Sequence, residues 1–270
     1  MPQPLFFNEI KYVPSLEVAM HRGIWSFVFL FICLFFLNEI KDFLLLFKSF
    51  KKIIILSITS LLIATNWLGF IYSVNIDKVQ DASLGYFLTP MISISLGYFF
   101  LNEKLNIRKF ISVSLMISAC LILVFNLNNF PYIAILIGTT WGIYGLLRKQ
   151  IRVSPGLGLL YESGLISLFS LPYLLYLNFL NIGYFNFQFN FDSIMLVFTG
   201  IVTIIPLFLF NLGLKYTTLG LAGVLFYIAP SFHFITSIFI LEEYMEFEKL
   251  LAFIIIWFGV GIFIYDAIKK

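Results

Sequence analysis

Charge is what this sequence has least of. Only 11% of its 270 residues are Asp, Glu, Lys or Arg, against about 25% in an ordinary soluble domain. With 61% of the residues apolar, the polar side chains are too few to cover a folded surface in water. Lipid accepts such a surface. Cysteine and histidine are also scarce, two of each. Cys33 and Cys120 lie inside apolar runs and read as small core hydrophobes, so neither a disulfide nor a metal site is expected. The net charge of +3 is small, and its cations fall between apolar runs instead of along a stripe, which argues against nucleic acid as a partner. The phosphate-cradling GxxxxGKS/T loop is missing, so the chain carries no ATP motor. HExxH and GxSxG are missing too, which removes the commonest metalloprotease and hydrolase signatures. No cofactor is expected. Residues 1–15 hold no basic stretch followed by an apolar run, so no cleavable signal peptide is expected.

Long apolar runs are what the sequence does have. A membrane-crossing helix needs roughly 20 mainly apolar residues. The candidates are 16–37, 53–74, 82–101, 110–125, 131–147, 157–180, 194–214, 219–241 and 250–268. The links between them are short, so one all-α polytopic bundle of nine visible helices is expected. Orientation follows the cations. With the residues before Leu16 outside, the inside loops hold Lys41, Lys48, Lys51, Lys52, Lys104, Arg108, Lys109, Arg148, Lys149, Arg152 and Lys215, plus Lys269 and Lys270 in the tail. The outside segments hold only Lys11, Lys78 and Lys249. The C-terminus is therefore expected inside, at the cytoplasmic face of an inner membrane.

One stretch returns at a fixed interval. Pro90, Leu101, Glu103 and Lys109 are echoed by Pro230, Leu241, Glu243 and Lys249. The loop after Leu101 is expected inside and the loop after Leu241 outside. Similar segments of opposite orientation make an inverted repeat, which needs an odd number of helices per unit; five fit. Inverted repeats are a recurrent design of secondary transporters, with the solute site near the midplane. The expected domains are residues 1–125, a first repeat incomplete at its N-terminus, and 126–270, a second repeat. A ten-helix bundle would then have its first helix mostly missing here, through a late start site or a natural shortening.

Several motifs resemble the EamA family of the drug/metabolite transporter superfamily: PSLEVAMHRGIWS (14–26), NW (66–67), ASLGYFLTP (82–90), WGIYGLLRK (141–149), YES (161–163), VTIIPLFLFN (202–211), LFYIAPS (225–231) and IIIWFGV (254–260). They occur in order from about residue 3 to the end. The resemblance implies ten helices, two inverted five-helix repeats, both termini inside, and a permease acting on a small metabolite or drug-like solute.

Ionisable groups inside lipid cost roughly 2.5–3.5 kcal/mol or more each and by default mark function. The apolar runs hold Glu17, His21, Arg22, Glu162, His233 and Asp266. Arg22 and Glu162 are related by the repeat interval. Arg22 lies about 9 Å from the outer face and Glu162 about 7.5 Å from the inner one, at 1.5 Å per residue, so roughly 13 Å separates them along a 30 Å core. Both are expected to line one water-filled cavity. Arg22 suits a carboxylate or phosphate group; Glu162 is the candidate proton acceptor, and His21 stands beside them. The alternative is snorkelling or a local pair such as Glu17 with His21. Asn66, Trp67, Tyr86 and Tyr227 offer amide, indole and phenol groups, against interfacial or lipid-facing roles.

Pro90, Pro172, Pro206 and Pro230 interrupt helices and free the carbonyls of Tyr86, Leu168, Val202 and Phe226. Pro90, Pro206 and Pro230 are the hinge candidates. Gly138 and Gly142 permit a close helix contact. The expected reading is a secondary transporter with solute, lipid and possible proton or other ion partners, and a homodimer as one oligomeric option. A non-transporting membrane subunit and an intramembrane enzyme are the alternatives.

Overall fold

The computed structural model describes residues 3–76, 79–125, 130–186, 190–228, 231–232 and 247–269, with backbone only at 3–5, 79–83 and 249. Pro230, His233 and Glu243 lie outside the described residues. The elements are helices: α1 (Gln3–Asn8), α2 (Ser15–Phe36), α3 (Ile40–Leu46), α4 (Phe50–Asn75), α5 (Val79–Leu101), α6 (Ile107–Phe125), α7 (Tyr132–Gln150), α8 (Pro155–Phe179), α9 (Phe191–Tyr216), α10 (Leu219–Leu225) and α11 (Phe247–Ile268). No strand occurs among the described residues.

Local chemistry sets the ends. Ser154 caps α8, its Oγ accepting from the Leu157 amide at 3.3 Å, and Pro155 follows at the first helical position, where its missing N–H costs nothing. Thr218, Asn106 and Asn190 cap α10, α6 and α9 in the same way. After α2 and α8 the chain turns through Asn38 and Asn181 at φ 58° and 54°. The Glu39 amide then reaches the Leu34 carbonyl at 3.0 Å, and the Ile182 amide reaches that of Leu177 at 3.1 Å, which is the Schellman closure.

Seven helical segments among the described residues are long and apolar enough to cross a membrane: Ser15–Phe36, Phe50–Asn75, Leu84–Leu101, Ile107–Phe125, Pro155–Phe179, Phe191–Tyr216 and Leu250–Ile268. Large apolar side chains stay exposed on them, Phe36 by 76%, Phe99 by 74% and Phe179 by 83%, as lipid-facing surface requires. The expected helix at 131–147 exists as α7. It is not among the seven, because Thr139, Thr140, Arg148, Lys149 and Gln150 dilute its apolar content. Most of the expected span 219–241 lies outside the described residues.

The helices gather in two compact units that interleave along the chain. One holds Val79–Leu146 and Tyr216–Lys270; the other holds Pro2–Lys78 and Leu147–Lys215. In the first, α6 packs on α11 and α5 on α10, around a core that includes Phe87, Met116, Ala119, Ile256 and Phe263. Gly223 of α10 lies against Pro90, where an added Cβ would stand 3.2 Å from the proline Cα. Gly138 and Gly142 face α5 as a close-contact pair. Asp266 of α11 is buried and accepts from Asn106 Nδ2 at 2.6 and 2.7 Å, with Arg108 Nη1 at 3.7 Å.

In the second unit α2 packs on α8, and α4 on both. The α2–α9 approach is tight at Gly200, where a Cβ would stand 2.6 Å from the Trp25 carbonyl carbon. Three packed pairs begin in register: α2 and α8 at Ser15 and Pro155, α5 and α10 at Val79 and Leu219, α6 and α11 at Ile107 and Phe247, each 140 residues apart.

Candidate functional site

The second unit buries four charged groups inside largely apolar helices. Glu17, Arg22, Arg148 and Glu162 are each no more than 6% exposed. Glu162, on α8, is fixed by α4: its Oε1 accepts from Thr59 Oγ1 at 2.6 Å, and its main-chain carbonyl accepts from Ser60 Oγ at 2.8 Å. One residue earlier, Tyr161 Oη meets Ser57 Oγ at 3.0 Å. Short hydroxyl side chains thus tie α4 to α8, where lipid supplies no competing water.

The counter-charge of Glu162 is Arg148, whose Nε stands 3.6 Å from Glu162 Oε1. The same Nε donates to Asn211 Oδ1 on α9 at 2.9 Å, and Nη2 reaches the Pro155 carbonyl at 3.4 Å. Nη1 is buried without a hydrogen-bond partner. Gly158 makes the arrangement possible: a Cβ there would fall 1.8 Å from Nη1. The guanidinium therefore occupies the space a side chain would fill.

Arg22, on α2, donates from Nε to Thr203 Oγ1 on α9 at 2.6 Å. Its Cζ lies 4.6 Å from the centre of the Trp67 ring and 5.3 Å from that of Phe7, within range of cation–π attraction. Trp67, Thr203 and Glu162 line one small cavity together with Ser26 and Ser163. Its volume is about 10 Å³, room for about one water. Ser26 Oγ has no hydrogen-bond partner. Trp67 and Glu162 thus share one cavity, too small for a metabolite, and Arg22 does not line it but lies behind it, against the lining residues Trp67 and Thr203.

The other expected residues fall as follows. His21 is buried; its Nδ1 accepts from Trp25 Nε1 at 3.3 Å, so its hydrogen sits on Nε2, which has no partner. Glu17 accepts from the Tyr184 amide at 2.7 Å. Asn66 is buried beside Trp67 on α4. Pro206 is half-buried in α9, one turn beyond Thr203. Tyr86, Pro90 and Tyr227 belong to the first unit. There the Tyr227 hydroxyl donates to the Phe87 carbonyl at 3.0 Å, one residue beyond the carbonyl that Pro90 frees. Pro172 is exposed.

Arg148 is the residue that sequence reasoning missed. It ends an apolar run beside Lys149 and was counted among the loop cations. The signal lay in PGLG (155–158), two glycines in one helical turn, beside a stretch that ends in Arg148.

A multi-pass helical membrane protein with charged residues buried between its helices is the class these features define. The sequence matches the model of the EamA-like transporter family twice, over residues 5–125 and 130–265. The chain belongs to that family. It is 34% identical to "Uncharacterized transporter YojE" of Bacillus subtilis (strain 168), covering 98% of this chain and 90% of that one. It is 31% identical to "Protein RarD" of Escherichia coli (strain K12), with the same two coverages; RarD is the branch of the family these motifs suggest. One solved crystal structure shares the fold with a TM-score of 0.66 at 14% identity, over 98% of this chain and 95% of that one.

Proposed function

We propose that this protein is a secondary transporter of the cytoplasmic membrane, C-terminus inside, which moves a small solute by alternating access. The site assigned to the solute is the cavity beside Arg22, Trp67 and Glu162, with His21 and Asn66 on the same helices. The observation that carries this reading is the burial of Arg22 and Glu162 in membrane-length helices, Glu162 lining the cavity and Arg22 packed on its lining residues Trp67 and Thr203. Such groups are too costly in lipid to be kept for packing alone. Family membership supports the transport class.

The same reading assigns two repeats, residues 1–125 and 126–270. The two family matches and the shared register of packed helices favour it. The cation bias favours opposite orientations of the repeats and places Lys269 and Lys270 inside. Enlarging a one-water cavity to admit a solute requires helix movement. Pro206, next to Thr203 in α9, and Pro90 in α5 are the positions assigned to that flexing.

The test is uptake into proteoliposomes loaded with a pH indicator, across a solute panel, for the chain and for Arg22→Ala. Transport by the chain and its loss in folded Arg22→Ala are expected. Normal transport by a correctly folded Arg22→Ala protein overturns the site.

A further inference from the structure

We infer that Arg148 is a carboxylate-binding site that the protein occupies with its own Glu162, and that protonation of Glu162 exchanges this internal carboxylate for that of the solute. The inference rests on the transporter reading and adds to it the solute class and the coupling residue pair.

The geometry carries it. Arg148 presents a fork of donors suited to a carboxylate, yet the Nη1 side of that fork has no acceptor. Glu162 Oε1 stands 3.6 Å from Nε, beyond hydrogen-bond length, while Asn211 takes that nitrogen's hydrogen bond. Nη1 is buried with no acceptor at all. A buried guanidinium with an empty donor is costly, and the space for it is held open by Gly158. The site has one more donor than its internal ligand uses. Glu162 in turn has a second partner ready, Thr59 Oγ1 at 2.6 Å. A protonated Glu162 keeps a hydrogen bond there and no longer needs the cation.

Charge decides the stoichiometry and the ligand. In a low-dielectric interior an unbalanced charge is far more expensive than a paired one. When Glu162 takes a proton, Arg148 is left with one uncompensated positive charge. One monocarboxylate restores the balance; a phosphate dianion overshoots it, and a neutral amide leaves it unmet. One proton therefore accompanies one carboxylate. The charged and titratable groups buried on the elements around Glu162 include Arg148 on α7, Glu17, His21 and Arg22 on α2, and Tyr161 on α8 itself; Lys41 and Asp42 of α3, Lys51 of α4 and Lys215 of α9 are exposed. Lys149 is directed to the Leu214 carbonyl and Glu17 to the Tyr184 amide. From α4 and α9 the uncharged Ser57, Thr59, Ser60, Thr203 and Asn211 bond to this network. Arg148 forms an ion pair with Glu162 across α7 and α8.

The experiment uses the full chain in liposomes with a trapped pH indicator. The monocarboxylates lactate, pyruvate and butyrate are compared with lactamide, pyruvamide, butyramide and inorganic phosphate. Carboxylates are expected to move together with protons, and amides and phosphate not to move. Glu162→Gln should still exchange labelled carboxylate across the membrane while proton movement is lost. Arg148→Lys should retain part of the uptake and Arg148→Met none. Infrared difference spectra should show a protonated carboxyl stretch on adding lactate, absent in Glu162→Gln. If Arg148→Met fails to fold, the charge-free pair Arg148→Met with Glu162→Gln removes the orphaned charge; carboxylate uptake by that double variant overturns the inference. Movement of amides or phosphate without carboxylates also overturns it while leaving the transporter reading intact. If no solute of the panel moves, both fall.

Discussion

Arg148 and Glu162 show how much one glycine can decide. Gly158→Ala places a methyl where Nη1 now lies, so the guanidinium must leave Glu162 or α8 must shift. Overpacking of this kind costs about 1–3 kcal/mol, and a carboxylate deprived of its buried partner about 3–5 kcal/mol. The expected outcome is a marked fall in the unfolding midpoint in detergent. In Gly158→Ala with Glu162→Gln most of that second penalty should disappear. Equal destabilisation in both would mean the pair is not linked through Gly158. Just before α2, Tyr12 donates to Asp192 in the first turn of α9, and this bond, followed by burial and the Asp192 charge, pushes the Tyr12 phenol up to about 12 from its usual 10. A raised folded value means the contact contributes below the unfolded value and is lost as pH rises through about 12. Alkaline difference absorbance between the chain and Tyr12→Phe should show this phenol titrating near 12, and Asp192→Asn should bring it down. Arg22, Glu162, His21 and Trp67 were legible in the sequence because polar or ionisable groups in an apolar run stand out. Arg148 was not. At a helix end a basic residue is what the cation bias predicts anyway, and only its reach beside Gly158 distinguishes it.

At the scale of elements, Glu103 performs a task that its place in a loop conceals. Its two carboxylate oxygens accept from the Leu219 and Gly220 amides at 2.6 and 3.0 Å, so the end of α5 caps the start of α10. A carboxylate on amides at a helix N-terminus is typically worth about 1 kcal/mol. Glu103→Gln keeps part of the contact and Glu103→Ala none, so faster hydrogen exchange at Leu219 and Gly220 is expected in the order Ala, Gln, native. Unchanged exchange in Glu103→Ala would show that Thr218 suffices as the cap. The apolar runs announced most helices to within a few residues, because length and composition alone define a membrane-length segment. The short α1 and α3 were not announced, since six or seven residues carry no clear period. Pro90 was legible as an interruption. Its setting was not: α5 remains helical through it, with Gly223 against it and Tyr227 bonded to the nearby Phe87 carbonyl.

For the whole molecule, the cation bias predicts sidedness that can be measured. A reporter active only inside should work after Lys270 and fail when inserted at Asn181–Ile182, in the loop after α8; the reverse pattern would invert the assignment. The recurrence of Pro90 and Glu103 at Pro230 and Glu243 pointed to a repeat. It did not reveal that helices starting at that interval pack together, since spacing along a chain says nothing of who neighbours whom.

That interleaving has a consequence for synthesis. The unit around Glu162 is assembled from Pro2–Lys78 and Leu147–Lys215. While the ribosome is still adding α5 to α7, α2 and α4 must therefore wait in the bilayer without α8 and α9. At about 5–20 residues per second the wait is on the order of ten seconds. During it Arg22 has neither Thr203 nor a finished unit around it. The nascent protein thus passes through a stage in which its costliest side chain must be sheltered by water, headgroups or the insertion machinery before its partners exist.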